Sequence, residues 1–145
     1  MSTEPEPHVF SAAIRYSDLD AQGHVNNAVF LMFFDDARIE FFRHVGIPQA
    51  GIPPEAETGT SRVIARTEID YLAPLMYEQE PIQIVTRVLA MGSKSFTIGQ
   101  DVVCRGTVCA RAKVVLVAYD PANGTTRPLD DYERNGLGPL LVSGS

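Results

Sequence analysis

The sequence contains no tryptophan and only two cysteines, Cys104 and Cys109, among its 145 residues. Two cysteines cannot build the disulfide framework of a small secreted protein; a pairing across a turn stays open, but reduced packing residues are the expectation. No apolar run is long enough to span a bilayer, since the longest covers only residues 28–34. The acidic, proline-containing N-terminus is unlike a signal peptide. We therefore expect a soluble, cytoplasmic protein without a membrane partner.

Basic residues are also scarce, because 12 Lys and Arg stand against 18 Asp and Glu, for a net charge of −6. A nucleic-acid-binding domain usually has a basic excess, so nucleic acid is not an expected partner. The chain contains no G-x-S-x-G elbow, no phosphate-binding loop and no G-x-G-x-x-G turn. His8, His24 and His44 are too scattered to suggest a metal centre, so no metal site is predicted. The 45% apolar and 21% charged residues are typical of a globular protein.

A long, largely buried helix is the clearest element in the sequence. Asn26 or Asn27 can cap its start, and Gly46 followed by Pro48 ends it. Its apolar positions form a surface wider than one stripe, so most of the helix is expected to be covered by other parts of the chain. These positions are Val29, Phe30, Phe33, Phe34, Ala37, Phe41 and Phe42.

Alternating and β-branched stretches predict the rest of the fold. Strands are expected at 9–16, 62–73, 81–92, 94–104 and 107–120, the last two joined by a tight turn. No second helix is predicted, so we expect an α+β fold in which one curved antiparallel sheet wraps around the single helix. One helix cannot cover the sheet edges, which favours dimerisation strand to strand. Residues 1–8 and 136–145 are predicted to be flexible tails on a single domain at 9–135.

The stretch DLDAQGHVNN at 18–27 concentrates carboxylates, amides, a glycine and a histidine just before the helix. Asp18, Asp20 and Gly23 match positions of a calcium-binding loop. Val29 stands, however, where that loop needs a bidentate glutamate, which argues against calcium. Helix caps and turns account for part of the pattern, but a helix does not need so many polar groups to start. Its unpaired N–H groups attract an oxyanion, so a carboxylate one turn ahead has the parts for hydrolysing an acyl bond.

The segment RYSDLDAQGHVNNAVFLMFFDDARIEFFRHVG resembles the signature of the hotdog-fold acyl-CoA thioesterases of the 4-hydroxybenzoyl-CoA thioesterase type. The similarity is close over residues 15–46 and continues more loosely to about residue 120. It implies a hotdog fold, in which a five-stranded curved antiparallel sheet wraps one long central helix and dimerises edge to edge. It also implies hydrolysis of an acyl-CoA to a carboxylate and free CoA by a homodimer or a dimer-of-dimers tetramer. CoA is then part of the substrate, and no cofactor is implied.

The resemblance also implies roles for individual residues. Asp20, the second Asp of the D-x-D pair, is implied as the catalytic carboxylate, acting as general base or nucleophile. Asn27, at the helix start, is implied to polarise the thioester carbonyl through its backbone N–H. Gly23 takes the place of the family's turn glycine, and Phe30 stands where many members have tyrosine. The residues implied to shape the pocket are His24 and Asn26.

The phosphates of CoA require basic groups at the mouth of the pocket. Lys94 and Ser95 match a stretch that lies near the nucleotide in similar proteins, and Arg62 is a further candidate. Two other functions stay open: an acyl-ACP thioesterase and a non-catalytic acyl-CoA-binding module. The carboxylate of Asp20 argues against a pure binder, and the acidic chain has no evident basic patch for an acyl carrier protein.

Overall fold

The computed structural model describes residues 4–49 and 61–143. In chain order its elements are β1 (His8–Ala12), α1 (Asn27–His44), β2 (Ser61–Tyr71), β3 (Ile82–Met91), β4 (Ser95–Cys104), β5 (Thr107–Asp120), β6 (Thr125–Thr126) and α2 (Asp131–Leu137). The strands form one antiparallel sheet with the order β1-β3-β4-β5-β2, and β6 pairs with the end of β5. Within these ranges, no helix is both long and apolar enough to cross a membrane.

Helix α1 begins and ends where the sequence predicts. The side chain of Asn26 caps its start. At its end, Gly46 adopts φ +80°, and the N–H groups of Gly46 and Ile47 bond back to carbonyls of the last turn. The helix buries a broad aromatic surface, as expected. Its buried residues are Phe30, Phe33, Phe34, Ala37, Phe41 and Phe42.

The inner face of the sheet supplies the other half of the core. On β4, the fully buried Gln100 donates from Nε2 to the carbonyl of Phe34 at 3.0 Å and to Oγ1 of Thr86 at 3.3 Å, which joins helix to sheet. One long helix packed on an antiparallel sheet is an α+β arrangement and fits the hotdog fold. The alternation predicted for β3 is confirmed by its buried residues Ile82, Ile84, Thr86 and Val88.

Two predicted features at the edges of the sheet are wrong. β1 begins at His8, inside the predicted tail, and ends at Ala12 instead of residue 16. The chain leaves the sheet there because Tyr16–Asp18 form a 3₁₀ turn held by the buried Asp18 carboxylate. The sheet has six strands rather than five, since the short β6 pairs with β5. Residues 1–3 and 144–145 of the two predicted tails lie outside the described residues.

The segment from residue 136 packs on the fold instead of forming the predicted tail, and a second helix precedes it. α2 starts at a capping box, in which the side chains of Asp130 and Glu133 each accept the other's backbone N–H. Leu137 is fully buried, and Val142 donates its N–H to the carbonyl of Val88 at 3.0 Å. Sequence periodicity missed α2 because a helix of 7 residues is too short to repeat a pattern.

Strand β2 forms one edge of the sheet, and most of its residues are exposed. Among the described strands it pairs only with β5, and a bulge between Ile64 and Arg66 interrupts its alternation. Val63, Ile64 and Tyr71 expose 42%, 46% and 46% of their surface. A long edge strand with exposed apolar side chains is a surface that proteins often cover.

A buried ion network joins β2 to α2. Oε2 of the fully buried Glu133 accepts from Nη1 of Arg62 at 2.8 Å and from Nη2 of Arg127 at 3.0 Å. Oε1 accepts from Nη1 of Arg127 at 2.8 Å. Burial raises the pKa of the Glu133 carboxyl, but hydrogen bonds, led by those from Arg127, outweigh burial, so the pKa lies below its ordinary value.

Glu133→Gln should destabilise the fold by about 3 kcal/mol at neutral pH, because it removes the buried negative charge to which both guanidinium groups bond. Since the folded-state pKa of Glu133 is lowered, the stabilisation is present above the ordinary carboxyl pKa and is lost as the pH falls through the folded-state value. The free energies of unfolding of the wild type and of Glu133→Gln, measured by urea denaturation, should therefore converge as the pH falls. Glu40→Gln, which breaks a more exposed pair with Arg43, is the control. An equal loss in both variants would contradict the prediction.

Candidate active site

The loop before α1 is closed by the buried carboxylate of Asp18. Its Oδ2 accepts the backbone N–H of Arg15 at 2.8 Å, and its Oδ1 accepts Nε and Nη2 of Arg15 at 3.2 and 2.9 Å. The carbonyl of Asp18 accepts the N–H of Asn26 at 2.9 Å, which ties the two ends of the loop together. Asp18 therefore shapes the turn. Across the described ranges, no three His, Cys, Asp or Glu side chains come together as a metal site.

Asp20 lies in a tightly bonded turn at the surface of this loop. Its Oδ1 accepts the backbone N–H groups of Gln22 at 2.9 Å and His24 at 3.1 Å. Its own N–H donates to the carbonyl of His24 at 2.7 Å, and its carbonyl accepts from Gly23 at 3.1 Å. Gly23 has φ +82°, a conformation that strains any side chain, which explains a glycine at this position. The turn therefore holds the exposed carboxylate of Asp20 in one orientation.

The first turn of α1 faces the same loop. Oδ1 of Asn26 accepts the N–H of Ala28 at 2.9 Å, and the Asn26 carbonyl accepts the N–H of Val29 at 2.9 Å. Asn27 is the first helical residue, so its N–H lies outside the helical ladder, and within the described residues it has no hydrogen-bond partner. The helix start thus presents one bare N–H and the positive end of the helix dipole.

A cleft of about 390 Å³ separates this loop and helix start from the segment that follows β2. Four predicted site residues, Asp20, His24, Asn27 and Phe30, line it together. The residue that carries the anchored carboxylate and the residue that carries the bare helix N–H therefore border one shared space. The full lining is Asp20, Gln22, His24, Val25, Asn27, Phe30, Tyr71, Leu72, Ala73, Pro74 and Leu75.

The opposite wall of the cleft was not predicted as a site. It consists of Tyr71 and the four residues after it, and it is fixed to the loop because Val25 donates its N–H to the carbonyl of Leu75 at 2.7 Å. The hydroxyl of Tyr71 donates to the carbonyl of Asn27 at 3.1 Å. The sequence signal that could have found it is an aromatic residue at the end of a strand.

Gly23 and Asn26 shape the site from outside the cleft, whereas Arg62 lies elsewhere. The guanidinium of Arg62 bonds to Glu133, donates to the carbonyl of Pro48 at 2.8 Å and lies 5.2 Å from the centre of the Phe42 ring. Its side chain is 4% exposed. The expectation that Arg62 binds CoA phosphates at the mouth of this cleft is therefore wrong, because the charge is buried in an ion network.

Lys94 and Ser95 are also remote from the cleft within one chain. Val102, Ala110 and Tyr71 pair in one row at the cleft end of the sheet. Ser95 lies seven residues from this row along β4 (95 to 102), which corresponds to about 23 Å. One chain alone therefore cannot bring Lys94 to the loop of Asp20.

A larger cleft of about 450 Å³ lies between the second half of α1 and the start of β2. Arg62 lines it, and none of the other predicted site residues does. Gln49 and Ser61 border this cleft, and residues 50–60 between them lie outside the described part of the chain. The smaller cleft is the better candidate because Asp20 and Asn27 both line it.

Comparisons with known proteins give a consistent result. A model of the thioesterase-like superfamily matches residues 14–134. The acyl-CoA thioester hydrolase YbgC of Escherichia coli O6:H1 is 28% identical over 117 residues, covering 80% of this chain and 84% of the relative. A thioesterase from Thermus thermophilus, solved in complex with coenzyme A and Zn, is 30% identical with a TM-score of 0.76, covering 91% of this chain and 92% of that one. A predicted thioesterase from Bacillus stearothermophilus is 25% identical with a TM-score of 0.82, covering 96% and 99%.

Asn26→Ala should lower the free energy of unfolding by about 1 kcal/mol, because the N–H of Ala28 loses its cap. Asn26→Asp keeps an acceptor oxygen at the same position and should restore most of the loss. Urea denaturation of the three proteins measures both effects. Equal stability of the Ala and Asp variants would contradict a capping role for this side chain.

Proposed function

The chain belongs to the thioesterase-like superfamily and is a thioester hydrolase, and we propose that it hydrolyses an acyl-CoA in the cleft between Asp20 and Asn27. The single observation that supports this site is that Asp20, whose carboxylate is anchored, and Asn27, which carries the bare helix N–H, line one cleft. The products are a carboxylate and free CoA. The substrate class is supported by the E. coli relative, which is named an acyl-CoA thioester hydrolase, and by the T. thermophilus thioesterase, which was solved with coenzyme A.

In the proposed reaction, the thioester carbonyl binds with its oxygen at the N–H of Asn27. Negative charge develops on this oxygen when the carbonyl carbon is attacked, and the N–H together with the helix dipole stabilises it. One such donor typically contributes about 3 kcal/mol to transition-state stabilisation.

Asp20 supplies the attacking group by one of two routes. As general base it takes a proton from water, the resulting hydroxide adds to the carbonyl carbon, and the C–S bond breaks to release CoA. As nucleophile its oxygen adds to the same carbon, CoA leaves, and water then hydrolyses the mixed anhydride. Both routes need an ionised Asp20 within reach of a carbonyl at Asn27, and both end in the same products.

The proposal includes no resident cofactor, since carboxylate, water and N–H suffice for the chemistry. It also includes a cytoplasmic location, which is supported by Cys104 and Cys109, both free thiols in the structure. Acyl-ACP hydrolysis is the less favoured alternative, because a net charge of −6 gives an acidic carrier protein little attraction.

Asp20→Asn should lower kcat at least about a hundredfold, because the charge is lost while the amide oxygen can still accept the N–H groups of Gln22 and His24. Thiol release with DTNB, in buffer containing EDTA, measures turnover of short, medium, long-chain and aromatic acyl-CoAs. The matched control is Asp131→Asn, an exposed carboxylate on α2. Near-normal turnover by Asp20→Asn would refute the catalytic role of Asp20. If the wild type bound acyl-CoA without turnover, the chain would be a binding module.

We further propose a homodimer in which two β2 strands pair across a twofold axis. The support is that β2 is an edge strand, paired only with β5 among the described strands, with Val63, Ile64 and Tyr71 exposed. A twofold axis makes the pairing antiparallel, so the start of the partner's β2 lies beside Tyr71. The partner's Lys94 turn lies at that same end of the joined sheet, because Ser95 and Val63 both pair with Val117 of β5. The dimer thus brings the Lys94 and Ser95 of one chain toward the cleft of the other, where they can contact CoA phosphates.

Lys94→Ala should raise KM for acyl-CoA several-fold and leave kcat and the turnover of the corresponding acyl-pantetheine unchanged, because only CoA has the nucleotide phosphates. Lys113→Ala, on the outer face of β5, is the control. Light scattering of the wild type should give twice the mass of one chain. A monomeric mass, or equal effects on both substrates, would contradict this assignment.

A further inference from the structure

The last residue of β2, Tyr71, has a backbone that is held firmly by β5. It pairs with Ala110, and the next two residues donate their N–H groups to the carbonyl of Cys109, at 2.8 Å from Leu72 and 3.1 Å from Ala73. The Cα of Tyr71 therefore belongs to the sheet, although its side chain extends away from it.

The side chain of Tyr71 contacts the first turn of α1 at two points. Its hydroxyl donates to the carbonyl of Asn27 at 3.1 Å. Its ring meets the ring of Phe30 edge to face, with centroids 5.4 Å apart and planes at 88°. Asn27 and Phe30 are three residues apart and so lie on one side of the helix. Tyr71 therefore spans the turn that contains the bare N–H.

The first turn of α1 is otherwise exposed, although the loop before it is held through the carbonyls of Asp18 and Leu75. Asn26, Asn27 and Ala28 are all exposed, whereas Phe30 is only 2% exposed. Helix termini without tertiary contacts fray, and the cap from Asn26 is a contact within the same segment. Tyr71 is thus a long-range contact that relates the helix start to the sheet, and it lines the cleft at the same time.

We propose that Tyr71 is a positioning residue for hydrolysis, which restrains the direction of the Asn27 N–H by holding the adjacent peptide group through its hydrogen bond to the Asn27 carbonyl. This role rests on the proposed function of the cleft. An oxyanion donor is effective only when it already points to the site where charge develops. A displacement of about 1 Å in such a group can cost about a hundredfold in rate. Tyr71 restrains both the tilt of the first turn, through Phe30, and its rotation, through Asn27.

Tyr71→Phe keeps the ring on Phe30 and removes only the hydrogen bond. It should lower kcat about tenfold and change KM by less than about twofold, because the bond orients the donor instead of holding the ground-state substrate. Tyr71→Leu removes the ring as well and should lower kcat further. Tyr132→Phe, an exposed tyrosine on α2, is the control and should match the wild type.

Two readouts do not depend on turnover by the variant. With Asp20→Asn as background, the infrared carbonyl band of a bound acyl-CoA should move back toward its solution frequency when Tyr71→Phe is added, because the N–H polarises it less. Hydrogen exchange of the first turn of α1 should be faster in Tyr71→Phe, with an unchanged urea midpoint.

The outcomes separate the two proposals. The positioning role alone would be overturned if the wild type hydrolyses acyl-CoA and Tyr71→Phe does not differ from its parent protein. The comparison covers the kinetics, the carbonyl band and the hydrogen exchange. Absence of acyl-CoA turnover by the wild type would overturn the proposed function, and with it any role of Tyr71 in that reaction. A tenfold fall in kcat at constant KM, with the band shift, supports both.

Discussion

The site depends on one buried charge, the carboxylate of Asp18. It is 1% exposed, so its removal from water must be offset by hydrogen bonds, and three bonds from Arg15 do so. This fixes where the chain leaves β1 and turns toward the helix. The carbonyl of the same residue accepts the N–H of Asn26, which in turn caps α1. Loop, cap and helix start are therefore one hydrogen-bonded unit, and Asp20 projects from its middle.

A second buried charge organises the other end of the molecule. Glu133 joins Arg62 on the edge strand to α2 and to Arg127, so the C-terminal segment is linked to the strand that the dimer is proposed to use. An ion network of this kind contributes less net stability than its bonds suggest, because each charge must lose its water. Its larger effect is on specificity, since only one placement of α2 satisfies Glu133 and both guanidinium groups together.

Sequence patterns predicted the elements whose side chains repeat over several turns or pairs. α1 and β5 agree with prediction almost to the residue, because each is long and has clear end signals such as Asn26 and Gly46. β1 was predicted too long because its apolar pattern continues past Ala12, while the Asp18 bonds that bend the chain are not visible as a pattern. α2 and β6 are too short for any period to appear.

The same distinction applies to the site. Asp20, Gly23 and Asn27 fall within ten positions, so the geometry of one turn brings them together, and a local motif suffices to find them. Arg62 was assigned wrongly because its partner Glu133 is 71 positions away and nothing local indicates the pair. The contact of Tyr71 with Asn27 depends on how the sheet end meets the helix, which is a property of the fold and not of a local pattern.

The two N–H groups on Oδ1 of Asp20 have a stereochemical consequence. A carboxylate in water rotates about its Cβ–Cγ bond, and its two oxygens are interchangeable. Here rotation would break the bonds from Gln22 and His24, so the oxygens are inequivalent and Oδ2 is the one left to act on the attacking water or on the carbonyl carbon. For the proposed hydrolysis this means approach to the planar carbonyl from a single face. For an acyl group with a stereocentre on the carbon next to the carbonyl, one enantiomer would then be hydrolysed in preference to the other.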